Sequence, residues 1–165
     1  MQHNIIYINQ SKKEHLNSLD AECYILDTSL DEDFCTTFIN AATQKDKVVL
    51  FFGTNNIEYA KKYGADGIVC ELEDKNLKQQ MENLRKTLGS KKVIGLISRN
   101  RRHEAMLLSE LEPDFIIFKV WKDGLEKTEE LLEWYSDFFL IQSAIWLIDD
   151  IQTTSIKADF VIKNA

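Results

Sequence analysis

The sequence predicts an α/β fold in which parallel strands close into a small TIM-type (βα) barrel. Short apolar runs recur along the chain roughly 20 residues apart, and helical patterns lie between them. Most runs are rich in Ile, Val and Phe at both alternating positions, which is typical of strands buried on both faces. The chain contains no GxGxxG or GxxxxGK[ST] loop, so the competing open, doubly wound sheet lacks its usual nucleotide signal.

The apolar runs predict eight strands within a single domain, residues 1–165. A barrel of this type typically has about 250 residues, so a chain of 165 residues would form a small one. We also expect it to lack the last helix, because the sequence stops directly after the eighth run. The predicted strands are NIIYIN (4–9), ECYIL (22–26), KVVLFF (47–52), GIVCEL (67–72), KVIGLI (92–97), DFIIFKV (114–120), DFFLI (137–141) and DFVIK (159–163).

Amphipathic helices are predicted between the strands. Apolar residues at helical spacing form one stripe after the fourth run and another after the sixth, and glycines stand where a left-handed C-cap is expected. Three pairs have the spacing of a capping box: Ser11 with Glu14, Asn55 with Glu58, and Asp123 with Glu126. The stripes are Leu77, Met81, Leu84 and Leu88, then Leu125, Thr128, Leu132 and Tyr135, and the C-cap glycines are Gly64 and Gly89.

Composition excludes several classes of protein. The net charge of −7 and the pI near 5.0 argue against general binding to nucleic acids or anionic membranes. We find no apolar run long enough to span a membrane and no signal-peptide pattern. The cysteines (Cys23, Cys35 and Cys70) are odd in number and widely spaced, which predicts unpaired thiols and a cytoplasmic location.

Several segments resemble the thiamine-phosphate synthase / TenI superfamily of small βα barrels. TNNIEYAKKYGADGIVCELED (54–74) is similar to the family's Asn-Asp-Arg, helix, Gly-Ala-Asp-Gly, strand, Gly-Gln-Glu-Asp pattern. VIGLIS (93–98), EPDFIIFKV (112–120), FFLIQSAI (138–145) and KADFVIKNA (157–165) resemble later strands of that family. The resemblance implies the barrel fold, a phosphorylated ligand, Mg²⁺, and a metal site at Asn55 and Asp74.

Many functional residues of that family have no match in this chain. The stretch from Tyr24 to Thr28 stands where the family has a strand-two Gln-x-Arg-x-Lys and contains no cation, and Asn55 stands where the family has a metal-binding aspartate. Departure of a diphosphate depends on Mg²⁺ and on cations that stabilise the leaving oxygens. A neutral carboxamide binds Mg²⁺ more weakly than a carboxylate. We therefore expect that the family's reaction does not run here.

Two charged clusters are predicted at the C-terminal ends of strands. Glu71, Glu73 and Asp74 follow the fourth strand, where they form either an acid/base or metal cluster or a solvated loop with Asp74 capping the next helix. Arg99, Arg101 and Arg102 follow the fifth strand, next to Ser98. Cations in a first helical turn oppose the helix dipole. This placement points to anion binding, and the alternative is a solvated turn paired with Glu104 or Glu71.

Two further predictions concern lysines. Lys119 lies near the end of the sixth strand, and strand alternation directs it either into the barrel mouth or outward. If it points inward, it is a candidate catalytic amine together with Glu71, or a structural lysine paired with a carboxylate. Ser143 and Lys163 are expected at the ends of the seventh and eighth strands, where barrels commonly hold phosphate.

We predict a degenerate member of this superfamily that binds a small phosphorylated or anionic molecule, a pseudoenzyme without the family's catalysis. The alternatives are an active transferase in thiamine biosynthesis and a non-catalytic assembly or regulatory protein. A missing last helix would leave apolar residues of the eighth strand exposed, for example Phe160 or Val161. Exposed apolar surface of this kind marks interfaces, so we also expect a homodimer.

Overall fold

The computed structural model describes residues 2–54, 57–151 and 156–165, and its eight parallel strands form a closed barrel in chain order. This confirms the predicted fold class. Each strand pairs with its sequence neighbours, and β8 closes the ring by pairing with β1. The strands are β1 (His3–Ile8), β2 (Cys23–Leu26), β3 (Val48–Phe52), β4 (Gly67–Cys70), β5 (Val93–Ser98), β6 (Phe115–Val120), β7 (Gln142–Leu147) and β8 (Phe160–Asn164).

Helices cover the outside of the barrel. The two predicted apolar stripes lie on α3 and α5, whose buried side chains include Met81, Leu84, Leu132 and Tyr135. In the part of the chain that the structure describes, no helix is both long and apolar enough to cross a membrane. The helices are a 3₁₀ turn (Lys13–Leu16), α1 (Glu32–Gln44), α2 (Ile57–Tyr63), α3 (Leu77–Leu88), α4 (Arg102–Ser109) and α5 (Leu125–Phe138).

The strands separate two hydrophobic cores. Side chains at alternating positions fill the barrel interior, among them Ile25, Leu50, Val69 and Ile117. The intervening positions form a larger outer core with the helices. Burial on both faces explains why the strands appear in the sequence as continuous apolar runs.

Three aspartates join strands at the N-terminal end of the barrel in the same way. They are Asp66, Asp114 and Asp159, each of which directly precedes the first residue of a strand (β4, β6 and β8). Their carboxylates accept hydrogen bonds from the backbone N–H groups of Val49, Ile94 and Ser143, at 2.8, 2.7 and 2.9 Å. Their own N–H groups donate to the carbonyls of those same three residues. The aspartates in GADG, EPDF and KADF therefore have a structural role that any barrel built this way could use.

The seventh strand lies five residues later than predicted. The run at 137–141 is divided between the end of α5 and the loop after it, and β7 begins at Gln142. The ring of Phe139 stacks on Tyr135 at 5.0 Å, which holds this residue against the helix. Phe138 and Leu140 are 71% and 101% exposed. The apolar residues of this run therefore mark a helix end and a surface loop.

The expectation that β8 exposes a large apolar side chain is wrong. Phe160 and Ile162 point into the barrel, and Val161, on the outer face, is only 5% exposed. Val161 belongs to the outer core together with Ile156, which precedes the strand. The homodimer stays a prediction, but the uncovered strand used to argue for it is absent among the described residues.

Candidate functional site

The C-terminal ends of the strands form the mouth of the barrel, where barrel enzymes build their sites. Three inward-pointing aromatic side chains form its floor: Tyr7 of β1, Phe52 of β3 and Trp146 of β7. The ring centroids are 4.9 Å apart for Tyr7 and Trp146, 5.7 Å for Phe52 and Trp146, and 6.0 Å for Tyr7 and Phe52. These separations are those of edge-to-face contact. The floor is therefore packed, and a ligand would bind above it.

Lys119 points into this mouth, which decides between the two predicted orientations. It follows the interior residues Phe115 and Ile117 along β6, and its Nζ lies 5.7 Å from the centroid of the Trp146 ring. The side chain is half-buried. Among the described residues, no carboxylate oxygen lies within 4.0 Å of the ammonium, so the alternative of pairing with Glu71 is not realised.

Arg99 is already neutralised by acidic neighbours. Its Nη2 lies 2.7 Å from both carboxylate oxygens of Asp74, and its Nε lies 3.9 Å from Oε2 of Glu104. The hydrogen bonds to Asp74, followed by the charges of Asp74, Glu104 and Glu71, raise the pKa of Arg99. Arg99 therefore positions the start of α4 and has little positive charge left for a ligand.

The segment 99–102, which we call the arginine loop, is attached to the end of β6. The side-chain amide of Asn100 donates to the carbonyl of Lys119 at 2.9 Å and to the hydroxyl of Thr128 at 3.3 Å. Arg102 lies over the ring of Trp134, 5.1 Å from its centroid. Arg101 is exposed, and within the described ranges no acidic partner lies within ion-pair distance of it. Lys119 thus points into the mouth, and Arg101 is an exposed cation on the loop attached to the same strand end.

The opposite side of the mouth carries polar groups. Burial first, and the nearby Asp27 carboxylate second, raise the pKa of Tyr7, so its phenol stays protonated at neutral pH. Burial alone would raise the pKa of Asp27, but hydrogen bonds from Ser29, Tyr7 and the backbone outweigh it and lower this pKa. Trp146 donates its indole N–H to the side-chain oxygen of Asn164 at 3.2 Å. These contacts fix the floor in one arrangement.

Ser143 and Lys163 do not form the expected phosphate corner. Ser143 is the second residue of β7, at the opposite end from the mouth, and the register places Asp159 beside it on β8. Lys163 lies four residues beyond Asp159, about 13 Å further along the strand. It is exposed and lines a cavity of about 500 Å³ with Asp149, Asp150 and Asn164. The prediction fails because β7 starts later than the sequence suggested.

Ser98 is also unsuited to ligand binding. It is the last residue of β5 and is buried, and its hydroxyl donates to the carbonyl of Arg99 at 2.8 Å. Its position alternates with the interior residue Ile97, so it belongs to the outer face of the strand. It supports the arginine loop without reaching the mouth.

Of the two residues of the metal site implied by the resemblance, the structure describes Asp74, which is engaged by another partner. Asn55 lies outside the described residues. Both oxygens of Asp74 contact Arg99, and Glu71 is exposed on the loop after β4. In residues 2–54, 57–151 and 156–165, no three His, Cys, Asp or Glu side chains are grouped to hold a metal ion. Asp74 also fails to cap α3, whose N-cap is Asn76, so it serves as the partner of Arg99.

Sequence reasoning missed the floor residues Tyr7 and Phe52 and the rim residues Asp27 and Asn164. A signal for some of them was present, because Tyr7 and Phe52 stand at inward positions near the ends of their strand runs. In a strand, one of the two alternating sets of residues faces the barrel interior. The sequence did not show which set this is, because both sets are apolar.

No protein-family profile and no curated relative matches this chain. Solved structures of tryptophan synthase are similar in fold. A mutant α-subunit from Pyrococcus furiosus matches with a TM-score of 0.74 and 12% identity, covering 98% of this chain and 86% of the other. A ligand-free tryptophan synthase from M. tuberculosis matches with a TM-score of 0.73 and 11% identity, covering 99% and 83%. At this identity the similarity shows the TIM-barrel fold alone, and the resemblance to thiamine-phosphate synthase stays a prediction.

Proposed function

We propose that this barrel binds a small anionic or phosphorylated molecule at its C-terminal mouth. The observation that carries the proposal is Lys119, a half-buried residue whose ammonium points into the mouth and has no carboxylate partner among the described residues. A partly buried charge is costly unless a counter-charge meets it. An anionic group of the ligand supplies this counter-charge, and Arg101 lies on the loop that Asn100 attaches to the same strand end.

The proposal is binding without the transferase chemistry of the thiamine-phosphate synthase family. No cation lies between Tyr24 and Thr28, the stretch where that family has two, and the residue that follows β2 toward the mouth is the acid Asp27. Asp74 is engaged by Arg99, and Ser143 lies at the far end of the barrel. We expect no thiamine phosphate from hydroxymethylpyrimidine diphosphate and thiazole phosphate with Mg²⁺. Turnover that Asp74→Ala abolishes would contradict this expectation and favour the alternative of an active transferase.

A thermal-shift and calorimetric screen tests the binding. The probes are inorganic phosphate, pyrophosphate and glycerol 3-phosphate. A ligand present at about 100 times its dissociation constant stabilises the folded state by about 2.7 kcal/mol. Lys119→Met keeps the apolar stem and removes the charge, so we expect affinity for the bound probe to fall at least about ten-fold, as for the loss of a charge-assisted hydrogen bond.

Two further variants complete this test. Lys119→Arg, which keeps the charge, should retain most of the affinity. Lys86→Met, in the last turn of α3, is the matched control and should leave binding unchanged. A probe that binds equally well to the Lys119→Met variant would refute the assignment of the mouth. The absence of any anion binding, with all variants folded, would favour the alternative of an assembly protein.

A further inference from the structure

A second cavity opens at the N-terminal end of the barrel, opposite the mouth. Its volume is about 330 Å³. The walls are interior side chains of four strands: Ile5, Cys23, Val48, Leu50 and Val93. Because a barrel interior is normally a packed core, a space of this size within it is notable.

Two neighbouring strands, β4 and β5, carry glycines at tightly packed positions beside the residues that line the cavity. Gly67 brings no side chain to the interior from β4, and a Cβ there would lie 1.9 Å from the carbonyl oxygen of Val93. Gly95 on β5 is covered by the ring of Phe115, whose Cζ would lie 2.5 Å from an added Cβ. The ring of Phe115 therefore lies against β5. Gly67 supplies no side chain from β4 at the N-terminal end of the barrel.

The rim of the cavity is aromatic and polar. Phe160 lies between Phe115 and His3, with ring centroids 5.8 and 6.1 Å away. Glu22 contacts Nδ1 of His3 at 3.0 Å, and its side chain is largely exposed. Gln142 also lines the opening. Asp114 is held by Arg85 and by the N–H of Ile94, whereas the contact described for Glu22 is the one to His3, so Glu22 is the rim carboxylate freer to turn toward a ligand.

We propose that this cavity binds a small aromatic molecule that carries a primary ammonium group. The apolar walls and the Phe115 and Phe160 rings would enclose the aromatic ring, and Glu22 and the carbonyl of Gln142 would accept hydrogen bonds from the ammonium. An apolar cavity of about 150 Å³ holds benzene. A cavity of about 330 Å³ therefore suits a single ring with a short side chain. The net charge of the chain, −7, also favours a cationic ligand over an anionic one at this cavity.

The test compares three probes that share a ring and a chain length but differ in charge: 2-phenylethylamine, 2-phenylethanol and 3-phenylpropionate. NMR titration of protein with labelled Ile, Leu and Val methyl groups reports both affinity and location. We expect saturable shifts at Ile5, Leu50 and Val93, and affinities in the order amine, alcohol, propionate. Shifts centred on Leu77 and Leu107, in the groove between α3 and α4, would place binding elsewhere and refute the proposal.

Two variants test the cavity and its rim separately. Val48→Phe fills the cavity and should weaken binding of the amine at least about ten-fold, whereas Val48→Ala, the matched control, should not. Glu22→Gln changes an exposed side chain and should reduce the preference for the amine over the alcohol about two- to five-fold. If Val48→Phe fails to fold, the amine-over-alcohol preference of the Glu22→Gln variant still tests the proposal. Equal affinities for amine and propionate, or no saturation at millimolar concentration, would overturn the proposal and leave the phosphate experiments at the mouth unaffected.

Discussion

Asp66 offers a test of how the strands are joined at the N-terminal end of the barrel. Its carboxylate accepts a hydrogen bond from the N–H of Val49 at 2.8 Å, and Val49 is buried in the outer core. Asp66→Ala removes the acceptor and leaves this N–H without a partner. An unsatisfied buried donor costs about 1–3 kcal/mol, so we expect the free energy of unfolding to fall by about 2 kcal/mol.

Urea unfolding followed by circular dichroism measures this loss. Asp66→Asn keeps an oxygen acceptor of the same reach, so it should lose less than Asp66→Ala. Asp123→Ala, in the exposed turn before α5, is the matched control and should change stability by less than about 0.5 kcal/mol. If Asp66→Ala were as stable as the control, the carboxylate would not join the two strands.

Three other predictions concern glycine, a helix cap and a thiol. Gly67→Ala should lose about 3 kcal/mol in urea unfolding, because its Cβ meets the backbone of β5. Gly64→Ala, with open space at φ +68°, should lose about 1 kcal/mol. Similar losses for both would mean that β4 and β5 lie further apart. Asp31→Ala removes the N-cap of α1 and should lower the free energy of unfolding by about 1 kcal/mol. Its control, Asp33→Ala at an exposed position in the first turn, should lower it by only a few tenths of a kcal/mol. Equal losses would argue against the cap. Burial raises the pKa of Cys70 from 9.0 to about 12. The unfolded chain therefore releases this proton first as pH rises, and between about pH 8 and 9.5 stability should fall by about 0.8 kcal/mol for this thiol; a pH slope that is unchanged in Cys70→Ala would contradict it.

The strands could be predicted from the sequence because burial on both faces produces continuous apolar runs, such as VVLFF in β3. The same property misplaced β7. The run at 137–141 is equally apolar, but Phe139 packs on α5 and Leu140 faces solvent. Apolar composition alone does not distinguish a strand from the end of an amphipathic helix, and Ser143 was assigned to the wrong end of the barrel as a result.

The motifs behind the family resemblance identify the fold better than the function. In GADG, EPDF and KADF the aspartate bonds to the backbone of an adjacent strand at the N-terminal end, far from the mouth. A barrel can use this contact whatever ligand it binds, so the motif can recur in proteins of different function. This explains how the sequence could indicate the correct architecture while most functional positions of that family went unmatched.

The candidate site was only partly predictable. Lys119 was identified because strand alternation offered just two orientations, and the structure selects the inward one. The pairing of Arg99 with Asp74 joins residues from two loops, and the aromatic floor joins residues from three strands. Such contacts depend on the register and closure of the barrel, which local sequence patterns do not contain.

A selenate soak of crystals tests the central claim most directly, because anomalous scattering from selenium locates an anion without prior assumptions. We predict selenate within hydrogen-bond distance of Nζ of Lys119, above the ring of Trp146, and its loss from that place in crystals of the Lys119→Met variant. Selenate bound elsewhere on the protein, with the mouth at Lys119 empty in well-ordered crystals, would contradict the proposed function.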